Sequence, residues 1–98
     1  MAGQCFEVVV YKVGEAAAAD SEREMARQRI ATFPGFVSWM PLSGIEDASE
    51  RVDLVAWSSL EAAMAAGERV GTAPEFAAFR STIRSVTAMG HYASNAVA

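Results

Sequence analysis

The stretch "CFEVVVYKV" (5–13) is rich in β-branched and aromatic residues and holds no glycine or proline, which predicts a strand. "FVSWMPL" (36–42), "RVDLVAW" (51–57) and "SVTAMGHYA" (85–93) predict three more. Pro41 would interrupt a central ladder, so the second strand is expected at an edge or a bulge. Between strands the apolar period lengthens. Ser21 with Glu24 forms a capping box, Ala26, Ile30 and Phe33 follow at helical spacing, and Pro34-Gly35 ends that helix. Ser58 with Glu61 forms a second capping box, with Leu60, Met64 and Gly67 along one helical face. Gly67 and Gly71 are expected to punctuate this helix. Thr72, Pro74 and Glu75 then start another, whose apolar face is Phe76, Phe79 and Ile83. "SGIEDASE" is a turn and "SNAVA" a tail.

The order β-α-β-β-α-β predicts an α+β, ferredoxin-like domain: a four-stranded antiparallel sheet with helices on one face. With 98 residues the chain is one domain, 1–98, with its core at about 5–93. Such a sheet normally has one polar face. Here both parities are apolar. In strand one, Phe6, Val8 and Val10 oppose Cys5, Val9, Tyr11 and Val13; in strand three, Val52, Leu54 and Ala56 oppose Val55 and Trp57. Helices cover one face, so a second copy is expected on the other, giving a homodimer packed through its sheet faces.

Composition narrows the partners. The apolar fraction of 52% supports a core, although alanine supplies much of it. A net charge of −4 with scattered basic residues argues against nucleic acid and against an anionic membrane surface. The N-terminus lacks a basic signal-like region, and no run approaches a membrane span. The single cysteine, Cys5, excludes an intrachain disulfide and fits a reducing compartment, so the protein is expected in the cytoplasm. One histidine and one cysteine offer no zinc or iron constellation, and no phosphate-cradling glycine loop or Ser-His-Asp spacing is present.

The candidate chemistry is sparse. His91 is either a general base or a strand histidine facing a carbonyl or solvent. Tyr11 and Tyr92 could donate a phenolic proton, or simply pack. Arg80 and Arg84 could hold an anionic oxygen, or form a solvated helix edge. Glu7 or Asp53, if buried, would have a raised pKa and interest as a base; the alternative is a pair with Arg51 or Lys12. Cys5 reads as a small inert hydrophobe.

"FPGFVSWMPL", "VDLVAWSSLEAAMAA" and "PEFAAFRSTI" together resemble the antibiotic-biosynthesis-monooxygenase-like family of dimeric α+β barrel proteins, over about residues 5–93. The resemblance implies a cleft between sheet and helices. It also implies a cofactor-independent monooxygenase acting on an aromatic or polycyclic small molecule. Trp57 matches the tryptophan this family often carries at the end of the third strand. Phe36, Met64, Phe76 and Phe79 would line the cleft with it, and His91, Tyr11 and Arg80 would be the catalytic contributors. No cofactor is implied. The haem-degrading relatives carry a histidine on the second helical segment and an asparagine on the first strand, and this chain has neither. The alternatives on the same scaffold are a non-catalytic, homodimeric small-molecule-binding or stress-responsive protein, and an isomerase or decarboxylase.

Overall fold

The computed structural model describes residues 4–95; the first three residues, and the last three of the expected tail, lie outside them. Four strands, β1 (Cys5–Val13), β2 (Phe36–Ser43), β3 (Glu50–Trp57) and β4 (Ile83–Ala93), form one sheet in the order β2-β3-β1-β4, and every neighbour is antiparallel. Three helices, α1 (Ala16–Ile30), α2 (Leu60–Thr72) and α3 (Ala77–Thr82), complete the expected α+β ferredoxin-like order. β2 is an edge strand with a register shift between Phe36 and Ser38, which is where a strand containing Pro41 can sit without orphaning a ladder position.

Helix starts differ from the sequence expectation. α1 begins at Ala16, five residues before Ser21. Glu15 caps it, its carboxylate accepting from Ala17 N–H at 3.1 Å and Ala18 N–H at 2.7 Å. The alanine run that follows has the best intrinsic helix propensity, so the helix extends back to the first available cap. For α2 the cap is Ser59 and not Ser58, whose N–H instead reaches Gly35 C=O at 2.7 Å. α2 also runs straight through Gly67 and Gly71 to Thr72. Thr72 caps nothing; its hydroxyl donates back to Glu68 C=O, and Pro74–Phe76 forms a 3-10 turn before α3. Ile83 belongs to β4, which begins two residues earlier than expected.

The register sorts side chains to two faces. Cys5, Glu7, Val9, Tyr11 and Val13 of β1, with Arg51, Asp53, Val55 and Trp57 of β3, lie on the face beneath the helices. Ala26 and Ile30 of α1, Ala63 and Ala66 of α2, and Phe33, Phe76 and Phe79 pack onto it as one core. Phe33 meets Phe76 edge-to-face with ring centroids 5.9 Å apart. Phe6, Val8, Val10, Val52 and Leu54 face the other way, with Met40, Leu42 and Tyr92 exposed beside them.

Candidate functional site

Trp57 ends β3, and the Ser59 cap starts α2 two residues later. The chain therefore turns sharply, and the indole is held under α2 with 1% of its surface exposed. Phe36 packs edge-to-face against it at 5.7 Å. The space beside the ring is open: a cavity of about 240 Å³ lies between the sheet and the helical layer. Its floor is Glu7, Val9 and Tyr11 of β1 with Asp53, Val55 and Trp57 of β3. Ala66, Gly67, Val70 and Gly71 of α2 form the roof, and Phe79 and Arg80 of α3 a side wall. Exposed Val86 and Met89 of β4 mark its rim. At Gly67 and Gly71 an added Cβ would meet nothing within 4 Å, so the missing side chains leave unfilled space at the roof.

Two carboxylates lie in this floor, and the protein treats them differently. Asp53 is saturated. Its Oδ2 accepts the Tyr11 hydroxyl at 2.7 Å, and its Oδ1 accepts Arg23 Nε at 2.8 Å, a second Arg23 N–H and Trp39 Nε1 at 3.1 Å. Arg23 Nη2 also donates to Leu42 C=O at 3.0 Å and Val52 C=O at 2.8 Å. Burial and the adjacent Asp53 charge push the Tyr11 hydroxyl well above the usual tyrosine range. Glu7 has one bond only: its Oε1 accepts Trp57 Nε1–H at 3.1 Å. Burial raises the Glu7 pKa; the Trp57 bond and the His91 charge pull it down, and the Asp53 charge adds to the rise.

The sequence candidates are distributed as follows. Trp57, Phe79, Tyr11 and Arg80 line the cavity. The Tyr11 proton is engaged by Asp53. One Arg80 Nη1 donates at 2.8 Å to both Val70 C=O and Ala73 C=O, closing the end of α2; the other N–H groups make no hydrogen bond among the described residues. His91 pairs with Glu7 across the β1–β4 ladder and so shares its sheet face, but it is exposed and lines a separate depression with Gln4, Cys5, Leu60 and Tyr92. Phe36 and Phe76 belong to the core, and Met64 is exposed on α2, so none of the three lines the cavity. Arg84 is exposed and lies on β4, not on the last helix beside Arg80. The expected carboxylate pairings also change: Lys12 pairs with Asp47 at 2.7 Å, Arg51 with Asp20 at 2.9 Å, and the cation at Asp53 is Arg23. Cys5 is buried, and burial with the Glu7 and Glu61 charges raises its thiol pKa.

Arg23 was legible in principle. It falls at helical spacing with Ala19, Ala26 and Ile30, all buried, but its charge assigns it to the solvent face on a residue-type reading. A larger depression of about 470 Å³ lies between α1 and the end of α2. Its lining is mostly exposed and polar; Arg69 there stands 4.6 Å over the Phe33 ring and pairs with Glu75 at 3.3 Å. It holds no buried polar group, and the cavity under Trp57 is the better candidate. Among the described residues no three His, Cys, Asp or Glu side chains gather as a metal site, and no helix is long and apolar enough to cross a membrane.

The architecture defined here is an antiparallel sheet with an apolar, carboxylate-bearing cavity under one helical layer. Its fold, the four-stranded sheet beneath one helical layer, is shared with solved structures. SnoaB, a cofactor-independent oxygenase from Streptomyces nogalater, superposes with a TM-score of 0.84 at 22% identity, over 98% of this chain and 97% of that one. Two proteins provisionally named antibiotic biosynthesis monooxygenases also match. The one from Bordetella bronchiseptica has a TM-score of 0.82 at 14% identity, over 96% and 99% of the two chains. The one from Nitrosomonas europaea has a TM-score of 0.77 at 17% identity, over 96% and 92%. No family profile and no curated protein sequence matches the chain. At these identities the likeness is one of fold.

Proposed function

We propose that the protein is a cofactor-independent monooxygenase acting on an aromatic or polycyclic small molecule bound beneath Trp57. The observation that carries this reading is the cavity itself: apolar walls, two tryptophans, and a few polar groups in its floor and side wall. That is the composition of a small-molecule site. A cavity of about 150 Å³ accommodates one benzene ring, so 240 Å³ suits an aromatic system of about two fused rings. In such chemistry the substrate is its own reductant. Loss of a phenolic proton gives an electron-rich anion that passes electrons to O2; one oxygen atom enters the ring system, and the other leaves as water with two substrate hydrogens. The protein supplies an apolar enclosure, a proton acceptor and donors for the anion. Trp57 and Phe79 serve as walls, and the unengaged N–H groups of Arg80 face the developing oxyanion. Tyr11 contributes through Asp53. His91 lies at the β4 margin, outside the cavity, and does not touch the ligand in this reading.

The protein acts in this reading as a homodimer joined through the open sheet faces. Val8, Val10, Leu54, Met40 and Leu42 form a continuous apolar surface there, and among the described residues no element covers it. Cytoplasmic residence belongs to the same reading and rests on the lone, buried Cys5 thiol.

A panel of aromatic phenols and quinones, screened by thermal shift and followed by oxygen uptake on each hit, tests the function. A stabilising ligand that consumes O2 without added metal or flavin is the expected result. Stabilisation without oxygen uptake would identify a binding protein, and no stabilisation across the panel would remove the cavity from consideration.

A further inference from the structure

The contrast between the two floor carboxylates has a functional content. Asp53 accepts four N–H or O–H donors and has nothing left for a ligand. Glu7 is 9% exposed, faces no cation at bonding distance, and uses only Oε1, in its bond to Trp57. Every fully enclosed side-chain nitrogen or oxygen among the described residues has a partner. The Glu7 Oε2 atom accepts no hydrogen bond among the described residues, so it is not fully enclosed, and Glu7 lines the cavity. A nearly buried carboxylate with half its capacity unused is costly unless something else satisfies it.

We infer that Glu7 Oε2 is the recognition point of the cavity, accepting the hydroxyl hydrogen of an aromatic ligand whose ring lies against Trp57. The inference rests on the aromatic-ligand reading above and adds to it the functional group that the ligand must carry. Trp57 then has two tasks: its ring packs on the ligand, and its N–H fixes the carboxylate so that the second oxygen points to the ligand. This is also the geometry of a general base. The ligand O–H bond breaks, a bond from that hydrogen to Oε2 forms, and the electron pair remains on the ligand oxygen. Burial, which raises the Glu7 pKa, suits an acceptor working near neutral pH.

The charged and titratable neighbours come from every side. His91 lies across on β4; Asp53 lies on β3, bound by Arg23 of α1 and by Tyr11; Cys5 shares the strand, with Glu61 of α2 beyond it; Arg80 of α3 is on the opposite wall. The histidine is the neighbour whose charge acts on Glu7, and the test separates the two.

The experiment measures calorimetric affinities for 1-naphthol and for 1-methoxynaphthalene, which has the same ring system without the hydroxyl hydrogen. They are measured from about pH 8 to about pH 4.5 on the wild type, Glu7→Gln and His91→Gln. In Glu7→Gln the side-chain carbonyl still accepts from Trp57, while the open position becomes an N–H₂ donor. The wild type should prefer naphthol about tenfold at the upper pH, as a bond to a charged acceptor allows. That preference should shrink as Glu7 takes up its proton. Glu7→Gln should lose both the preference and its pH dependence, and His91→Gln should keep both. Equal affinity for the two probes in the wild type, a preference surviving in Glu7→Gln, or a pH step abolished by His91→Gln would overturn the assignment while leaving the aromatic cavity in place. Binding of neither probe by the wild type would overturn the cavity reading and the assignment together.

Discussion

Each face of the sheet departs from the usual arrangement in its own way. The face under the helices carries the apolar core, and with it the buried groups Glu7, Arg51 and Asp53, joined by Arg23 of α1. The face without any cover holds Val8, Val10, Leu54, Met40 and Leu42. Buried ionic groups are seldom the most stable choice for a core, and a bare apolar sheet is seldom left to water. The difference teaches that the two faces answer to different demands. Polarity under the helices organises a cavity, and apolarity on the open side suits a surface that another chain covers.

The sharpest way to break this contrast is Asp53→Ala. It strands the Arg23 guanidinium in the core, with the Tyr11 hydroxyl and Trp39 N–H losing their acceptor. Loss of one partner of such a buried pair costs about 3–5 kcal/mol, so denaturant titration should show a large fall in the midpoint. On the open face, Leu54→Lys should leave the fold intact, because no element packs there. It should place charge at the centre of the joined surfaces, and like charges facing each other cost several kcal/mol. Light scattering at micromolar concentration should then shift from dimer mass to monomer mass; a wild type already of monomer mass would end the dimer proposal.

Smaller and of opposite sign is Gly67→Ala. The new methyl meets no atom, and the helix gains about 0.8–1 kcal/mol in propensity, so the melting temperature should rise while affinity for the larger aromatic ligands falls. A fall in stability would mean that the roof has no room for the added methyl. The subtlest is Glu7→Gln. The folded pKa of Glu7 is raised, so the native state holds its proton to higher pH than the unfolded chain does. The Glu7 contribution to stability therefore falls as pH rises from the ordinary carboxyl value of 4.5 through the raised folded value. The amide has no such slope. Glu7→Gln should melt above the wild type at about pH 8 and converge with it near pH 4.5, read by melting temperature across that range.

Much of the fold was written in local pattern. Strand composition, the period change at each helix and Pro41 were enough to order the elements and to put β2 at an edge. Helix starts were legible only as a choice among nearby caps. Glu15 and Ser59 prevailed over Ser21 and Ser58 because an alanine run extends one helix backwards, and a tertiary bond to Gly35 claims Ser58 N–H in the other. The site was less legible, because register and burial decide it. Glu7 and Asp53 are alike as residue types, and only three-dimensional packing brings Arg23, Tyr11 and Trp39 to one and Trp57 alone to the other. Gly67 and Gly71 read as helix punctuation in one dimension and as roof space in three.

Both tryptophans of the chain border the cavity, and each indole N–H ends on a different carboxylate, Trp57 on Glu7 and Trp39 on Asp53. The protein thus contains two indole fluorophores, one at the engaged carboxylate and one at the available one, and no third. Emission excited through indole is, for this molecule, a local optical probe of a single chamber, and replacing either ring by phenylalanine leaves a one-colour reporter for the other.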